Sequence, residues 1–278
     1  MIRLRTMFLL PGVAVLLSLF VAPLAIIFLY SLQSRGVYGG VSLPFTLSNY
    51  ARLFDSLYGW IFLRTVLVSL VATLGCLLLA FPLALFISRS GKRRNLYLQL
   101  VMLPFWSSFL VRTYAWMFLL RDTGLINTAL VGIGLVGEPL PLLNNDGAVL
   151  IGLVYGYLPF AVLPLYATLE RLDHSLIEAA ADLGANPWDT LRHVVLPLCA
   201  PGFRAAAILV FIPCLGAYLT PDLLGGGKSV MAGNLIQNQF TTSRDWPFGS
   251  AIALVMMALS IVLLALWMRR REQAESAL

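Results

Sequence analysis

The chain has 278 residues, of which 59% are hydrophobic and 12% charged, against about 25% charged in an ordinary soluble domain. This composition, with a mean hydropathy of +0.86, excludes a water-soluble fold and predicts one membrane domain over residues 1–278. The formal net charge of +6 does not indicate nucleic-acid binding. The basic residues lie in short clusters beside long apolar runs, where they act as orientation signals.

Six apolar runs reach about 20 residues, the length that crosses the hydrocarbon core of a bilayer. They predict an all-α membrane protein whose six transmembrane helices lie at roughly 7–31, 62–88, 96–120, 148–169, 203–223 and 250–268. The first run follows Arg3 and Arg5, as a signal peptide would. It is longer than the apolar core of a signal peptide, which indicates an uncleaved anchor.

The distribution of basic residues predicts that both termini are cytoplasmic. With that orientation the inner segments contain 12 of the 19 Lys and Arg residues, although the outer loops are longer. The 12 are Arg3, Arg5, Arg89, Lys92, Arg93, Arg94, Arg171, Arg192, Arg204, Arg269, Arg270 and Arg271. An excess of Lys and Arg on one side marks the cytoplasmic face.

The third span contains an aromatic stripe. At 100° per residue an arc of about 80° includes four side chains, those of Trp106, Phe109, Thr113 and Trp116. Ring faces can bind an ammonium group by cation–π contact, worth roughly 0.5–2 kcal/mol each. The stripe therefore indicates either part of a path for a cationic solute or ordinary helix packing.

The loop between spans four and five, residues 170–200, predicts two short helices separated by a glycine turn. Ser175 and Glu178 have the spacing of a capping box. The residues that follow at helical spacing on one face are Leu176, Ala179, Ala180 and Leu183. Gly184 is suited to end this helix, and Asn186 and Pro187 to begin the second. We expect Pro197 to close the second helix before span five.

The end of span five brings a ring, a hydroxyl and a carboxylate close together in sequence, at Tyr218, Thr220 and Asp222. A cation that leaves water needs compensating charge, so Asp222 is the acid expected to meet a cationic cargo. An ion pair between Asp222 and Arg112 is the alternative. The following Gly225–Ser229 segment is not a phosphate-binding loop, because position 222 is not glycine and no strand precedes it.

The loop carries a recognisable motif. Glu178-Ala179-Ala180, Gly184, Val194, Leu196 and Pro197 resemble the EAA motif of binding-protein-dependent ABC importer permeases, with Val194 in place of isoleucine. The resemblance implies a MetI-like permease fold and a loop that docks on a cytoplasmic ATPase. The residues implied in coupling to that ATPase are Glu178, Ala179, Ala180, Asp182, Gly184 and Pro197. From the pattern alone, a helix lying on the membrane surface is the alternative.

Further stretches are similar to spermidine/putrescine permease subunits. They are Pro104-Phe105-Trp106, Arg112-Thr113-Tyr114, Gly124-Leu125-Ile126-Asn127, Asp222-Leu223-Leu224-Gly225-Gly226 and Arg244-Asp245-Trp246-Pro247-Phe248. The resemblance implies polyamine import across a bacterial inner membrane. The implied partners are a second homologous permease, two ABC ATPases that use ATP and Mg²⁺, and a periplasmic solute-binding protein.

Catalytic and metal-binding patterns are absent from the sequence. It has no H-E-x-x-H and no G-x-S-x-G, and His174 and His193 lack metal-ligand spacing. The three cysteines are widely spaced and predict neither a disulfide nor a metal cluster. We therefore expect no catalytic residue and no cofactor bound by this chain. A stand-alone secondary transporter of small solutes is the alternative function, although such proteins usually need internal repeats and intramembrane acids.

Overall fold

The computed structural model describes the backbone of residues 2–275 and the side chains of residues 11–173 and 175–265. In chain order the helices and strands are α1 (Ile2–Ser31), β1 (Gln33–Arg35), β2 (Val41–Phe45), α2 (Ser48–Arg52), α3 (Ser56–Ser88), α4 (Arg94–Met102), α5 (Phe109–Leu120), α6 (Leu125–Gly132), α7 (Asp146–Glu170), α8 (His174–Asp182), α9 (Pro187–Thr190), α10 (Leu196–Leu198), α11 (Ala200–Leu215), α12 (Leu219–Gly225), α13 (Ala232–Thr241) and α14 (Trp246–Glu275). The side chains of Arg3, Arg5, Arg269, Arg270 and Arg271, which predict the orientation of the termini, lie outside the described residues.

The chain forms two compact units. Unit 1 combines Met1–Phe62 with Ala232–Leu278, and unit 2 is Leu63–Met231. In unit 1, α14 packs against α1, α2 and α13, and β1 pairs with β2 in an antiparallel hairpin. The fold is therefore mostly helical and not all-α, because the segment after α1 forms paired strands.

Unit 1 is organised around the buried carboxylate of Asp245. Arg52 donates to this carboxylate at 2.9 Å, and the Asp245 side chain is only 4% exposed. The same carboxylate accepts from the backbone N–H of Phe248 at 3.2 Å, in the first turn of α14. The Arg52 guanidinium also lies 3.8 Å from the centre of the Phe248 ring. A buried acid with an arginine and a backbone donor is satisfied, so this contact fixes α2 on the start of α14.

Unit 2 is built on small side chains. One face of α3 is fully buried and consists of Ala72, Cys76, Ala80 and Ala84, which recur every fourth residue. The most extensive helix pair is α7 with α11, and Gly202 of α11 lies against Pro164 and Thr168 of α7. Membrane helices lack a hydrophobic driving force between them, so small residues that permit close approach stabilise their packing.

Two ion pairs show the relative directions of the helices α3, α4 and α7 in unit 2. Arg64, near the start of α3 in this unit, pairs with Asp146 at the start of α7. Arg94, at the start of α4, pairs with Glu170 at the end of α7 at 2.6 Å. The helices α3 and α7 are therefore parallel, and α4 begins where α7 ends. We call the end with Glu170 the hairpin end and the end with Asp146 the opposite end.

The number of continuous spans is smaller than the sequence predicts. Among the described residues four helical segments are long and apolar enough to cross a membrane, Pro11–Ser31, Ser56–Ser88, Asp146–Glu170 and Trp246–Ala265. Pro187–Leu198 with Ala200–Leu215, bent by 63°, would give a fifth. The six-helix count is thus not confirmed.

Two of the six predicted spans are interrupted. The predicted 96–120 span is divided into α4, a 3₁₀ turn at Leu103–Trp106 and α5, because Ser107 is extended (ψ 151°). Proline near the start of that turn lacks the N–H that a continuous helix needs. The predicted 203–223 span ends its first helix at Leu215, and α12 starts only at Leu219.

The packing of α7 on α11 predicts a strong effect of Gly202→Ala. The added Cβ would lie 2.5 Å from Thr168 Oγ1 and 3.1 Å from the carbonyl oxygen of Pro164. We expect overpacking of about 1–3 kcal/mol and a lower Tm of the detergent-solubilised protein. Gly59→Ala in α3 is the matched control, because its Cβ meets nothing within 4 Å and alanine favours helix by about 1 kcal/mol. Equal melting temperatures for the two variants would contradict this account.

Candidate functional site

The loop between α7 and α11 folds as a helical hairpin, Asp173–Thr190, which we call the α8–α9 hairpin. The helix α8 begins at His174, and the Asp173 side chain accepts from the backbone N–H of Ser175 at 2.9 Å. The predicted capping box with Ser175 as the N-cap is therefore wrong by two residues. Asp173 has the same capping chemistry and lies earlier in the chain, so the helix starts there.

Gly184 ends α8 as predicted. Its φ is +84°, a conformation that costs glycine nothing but strains other residues. The N–H of Gly184 donates to Ala181 at 2.9 Å, and that of Ala185 donates to Ala180 at 3.0 Å. These two bonds form a Schellman motif, which satisfies carbonyl groups at the end of α8. An added Cβ at Gly184 would meet nothing within 4 Å, so only the backbone angle requires glycine.

The second helix of the hairpin starts where the sequence predicts. The Asn186 side chain accepts from the N–H groups of Trp188 and Asp189, both at 2.9 Å, and Pro187 is the first residue of α9. The prediction that Pro197 closes this helix is wrong. A π-helical turn at Leu191–Val195 and the short α10 continue the helical path through Pro197, and the chain bends by 63° at Cys199.

One face of the hairpin is uncovered. Leu183 is 89% exposed and Leu176 45% exposed, and Ala179 on the same face is also exposed. The opposite face of α8 is anchored, because Ile177 packs against the core of unit 2. The side chains of Glu178 and Asp182 are exposed as well. Exposed apolar side chains on a capped, rigid helix are typical of an interaction surface.

A second feature of unit 2 is a cavity of about 380 Å³ whose wall contains several aromatic rings. We call it the aromatic cavity. Its wall includes Phe105 from the 3₁₀ turn, Phe109 and Arg112 from α5, and Gly156, Tyr157 and Phe160 from α7. The segment Gly216–Thr220 completes it. Gly156 lets the Phe109 ring approach α7, because an added Cβ would lie 3.0 Å from the ring.

The rings of the cavity are arranged edge to face and tilted. The Phe105 and Phe160 rings are 5.1 Å apart at 84°, and the Phe109 and Tyr157 rings are 6.5 Å apart at 37°. Such pairs are favourable for the ring quadrupoles.

The positively charged guanidinium of Arg112 lies beside the rings of this cavity. Its Cζ lies 4.5 Å from the centre of the Phe105 ring and 5.6 Å from that of Phe109. Its Nε and Nη1 atoms are buried without a hydrogen-bond partner. In the part of the chain that the structure describes, no acidic side chain lines the cavity and Arg112 makes no ion pair. Each buried donor without a partner costs about 1–3 kcal/mol, so the rings only partly compensate this cation.

Thr220 is the second unsatisfied group of the cavity. Its hydroxyl is buried and has no hydrogen-bond partner. Among the other predicted pathway residues, Phe109 and Tyr218 also line the cavity. A hydroxyl oxygen beside ring faces can accept a hydrogen bond from an ammonium group.

The remaining pathway residues lie elsewhere. Trp106 is 88% exposed, because the break at Ser107 removes it from the helix that carries Phe109. The Thr113 hydroxyl donates to the Phe109 carbonyl at 2.9 Å, and Trp116 contacts the Tyr155 ring edge to face at 5.5 Å. Asp222 is exposed and makes no ion pair within the described residues.

Sequence reasoning did not assign Phe105, Tyr157 and Phe160 to a pathway. Phe105 and Phe109 are four residues apart and Arg112 follows three later, a spacing that suggests one helical face. The rings on α7 gave no signal, because only the tertiary fold brings them beside α5.

At the opposite end of unit 2 the Gly225–Ser229 turn is fixed in place. Gly226 and Gly227 have φ of 56° and 74°. The buried Ser229 hydroxyl donates to Asp146, which also pairs with Arg64, and Arg64 donates to the carbonyl of Lys228 at 2.9 Å. The turn is a structural connection between α12 and the starts of α3 and α7.

Solved structures define the class of fold. A chain of a bacterial ABC transporter that imports the acidic polysaccharide alginate matches with a TM-score of 0.69 over 96% of this chain and 95% of that chain, at 19% identity. A chain of the MetNI methionine ABC transporter matches with a TM-score of 0.57 over 78% of this chain and 97% of that chain, at 17% identity. At such identities the similarity concerns the fold alone, which is that of MetI-like ABC permeases.

Sequence comparison defines the family. The model of the binding-protein-dependent transport system inner membrane component matches residues 3–274. The spermidine/putrescine transport system permease protein PotB of Haemophilus influenzae is 43% identical over 81% of this chain and 79% of that protein. PotB of Escherichia coli is 41% identical over 83% of this chain and 85% of that protein. The chain therefore belongs to the binding-protein-dependent transport system inner membrane component family.

Family membership tests several of the predictions made from the sequence. The chain is a multi-pass inner-membrane permease component of an importer, and it is not an enzyme. The stand-alone secondary transporter is set aside, because the family works with a binding protein.

Proposed function

We propose that this chain is one of two homologous permease subunits of an ATP-driven polyamine importer. A periplasmic binding protein delivers spermidine, putrescine or a related small amine, and two cytoplasmic ATPases supply the energy from ATP and Mg²⁺. This chain itself binds no cofactor. The polyamine cargo is supported by the names of the PotB relatives, which are 41–43% identical to the chain.

The proposed orientation has six spans, two of them broken, and both termini in the cytoplasm. The hairpin end of unit 2 is then cytoplasmic and the opposite end periplasmic. The basic residues support this, since Arg89, Lys92, Arg93, Arg94 and Arg171 lie at the hairpin end. An excess of Lys and Arg marks the cytoplasmic side.

The observation that carries the proposal is the uncovered apolar face of the α8–α9 hairpin, with Leu183 89% exposed. We propose that this face, with Glu178, Ala179, Ala180, Asp182 and Gly184, inserts into a cleft of an ATPase. The hairpin is rigid because Asp173, Gly184 and Asn186 form its three caps. A rigid body can transmit closure of the ATPases to α7 and α11, which flank it, and Pro197 lies in the connection to α11.

The cargo path is proposed to include the aromatic cavity. An ammonium group can contact the faces of Phe105 and Phe109 and donate to the unsatisfied hydroxyl of Thr220. Asp222, two residues beyond the cavity residue Thr220, supplies negative charge as the amine leaves water. Of the other predicted pathway residues, Tyr218 lies in the cavity wall. Trp106, Thr113 and Trp116, on α5 and its preceding turn, are proposed to contact the cargo outside the cavity.

Cysteine labelling tests the orientation. The native Cys76, Cys199 and Cys214 are free and buried, so background reaction is small. We expect Leu183→Cys to react with a membrane-impermeant maleimide only in inside-out vesicles stripped of peripheral proteins. Glu138→Cys, in the exposed segment between α6 and α7, should react only from the outside. Reaction of Leu183→Cys in intact spheroplasts would rule out the proposed topology.

A matched pair at Gly184 tests coupling. Valine at φ +84° is a genuine outlier, whereas asparagine tolerates this region. We expect Gly184→Val in reconstituted importers to lose most uptake while ATP hydrolysis continues, because the hairpin changes shape. Gly184→Asn should retain most uptake. If both variants transport like the wild type, the hairpin does not transmit force.

The Asp222→Asn substitution tests whether the Asp222 carboxylate contributes to the cargo path. Asp222 is exposed and makes no ion pair among the described side chains, so its loss should not reduce the amount of assembled complex. Spermidine uptake should fall by about tenfold, the effect of one lost charge-assisted contact. Glu138→Gln is the control for removing an exposed acid. Reduced assembly with unchanged uptake per complex would instead indicate a structural role.

A further inference from the structure

The aromatic cavity already contains a cation. The Arg112 guanidinium faces the same two rings, Phe105 at 4.5 Å and Phe109 at 5.6 Å, that an ammonium group would use. Its Nε and Nη1 have no hydrogen-bond partner. A buried guanidinium nitrogen normally donates a hydrogen bond, most strongly to a carboxylate or phosphate, so two buried donors that face only rings require an explanation.

Two cations cannot share these ring faces without a nearby anion. Like charges a few ångströms apart repel strongly where water is scarce, and none of the described residues that line the cavity is acidic. Either the cavity never receives an amine, or Arg112 leaves the rings when the amine arrives. Arginine has a long flexible side chain with a planar group that pairs readily with carboxylates.

Asp222, on a helix that packs against α5, is a candidate acceptor. It follows the cavity residue Thr220 on α12, and α12 packs against α5, which carries Arg112. Asp222 makes no ion pair among the described residues. A free carboxylate on one helix thus accompanies an unpaired guanidinium on its neighbour.

We propose that Arg112 competes with the cargo for the faces of the Phe105 and Phe109 rings. The guanidinium occupies these faces when the path is empty. An ammonium group of the amine displaces it, and Arg112 then pairs with Asp222. This inference rests on the proposed polyamine cargo. Displacement makes Arg112 a specificity-determining residue, because a neutral solute of the same shape gains too little from the rings to replace a guanidinium. Pairing with Asp222 keeps the loaded path from carrying two unbalanced charges.

Binding of radiolabelled spermidine to the purified nucleotide-free importer, without the binding protein, measures the competition. Arg112→Met keeps the length of the stem and removes the charge. We expect its half-saturating spermidine concentration to fall by about tenfold, since one competing cation–ring contact is lost. Arg112→Lys keeps a competing cation and should stay close to the wild type.

Arg121→Met is the matched control. Arg121 follows the same helix and lies 4.7 Å from the Phe118 ring, but it is exposed and outside the aromatic cavity. It should bind spermidine like the wild type. Arg112→Gln replaces the Met variant if that variant assembles poorly.

A double-mutant cycle tests the role of Asp222. Asp222→Asn should weaken spermidine binding in the wild type and have a smaller effect in the Arg112→Met background, where no displaced guanidinium needs an acceptor. Equal weakening in both backgrounds would overturn the pairing with Arg112 and leave Asp222 acting on the cargo alone. Unchanged or weaker binding in Arg112→Met would overturn the competition.

The two failures are distinguishable. If the wild-type importer neither binds nor transports spermidine, the proposed cargo is wrong. If it transports spermidine and Arg112→Met does not bind more tightly, only the competition is wrong.

Discussion

The close packing of α7 on α11, with α3 against α7 at Cys76, is the constraint on which unit 2 depends. Between apolar helices in a bilayer, packing contacts replace the hydrophobic effect as the source of stability. The fully buried alanines of α3 and the glycines of α7 and α11 permit these contacts. Cys76 is close enough to α7 for its thiol to lie 3.5 Å from the Val154 carbonyl. Once the helices are this close, the ion pairs at the two ends follow from where the helices stop.

The sequence predicted local features well and tertiary features poorly. Gly184, Asn186 and Pro187 were assigned correctly because caps depend on a few neighbouring residues. Asp173 was missed because two polar residues two positions apart compete for the same capping role. The broken third span was missed because hydropathy does not register an extended Ser107. Phe109, Tyr218 and Thr220 were predicted on the path and line one cavity, whereas Tyr157 and Phe160 required the packing of α7 on α5.

The polar groups of unit 2 fall into two classes. Asp146, Arg64 and Ser229 satisfy one another at the opposite end, and Arg94 satisfies Glu170 at the hairpin end. Arg112 and Thr220, in contrast, carry buried atoms without partners in the same cavity. A fold that pairs its polar groups at both ends can tolerate a few unsatisfied groups between them, at a cost of about 1–3 kcal/mol each. Unsatisfied groups that converge on one space are available to a ligand.

The helix α7 connects this cavity with the hairpin. Gly156, Tyr157 and Phe160 line the cavity, and the helix ends at Glu170, three residues before the Asp173 cap. At 1.5 Å per residue the distance from Phe160 to Glu170 is about 15 Å. Pro159 and Pro164 lie within or near this stretch and remove backbone hydrogen bonds that would stiffen it. The hairpin and the ring faces are therefore joined by one stretch of α7, and its prolines are the points at which that stretch bends most easily.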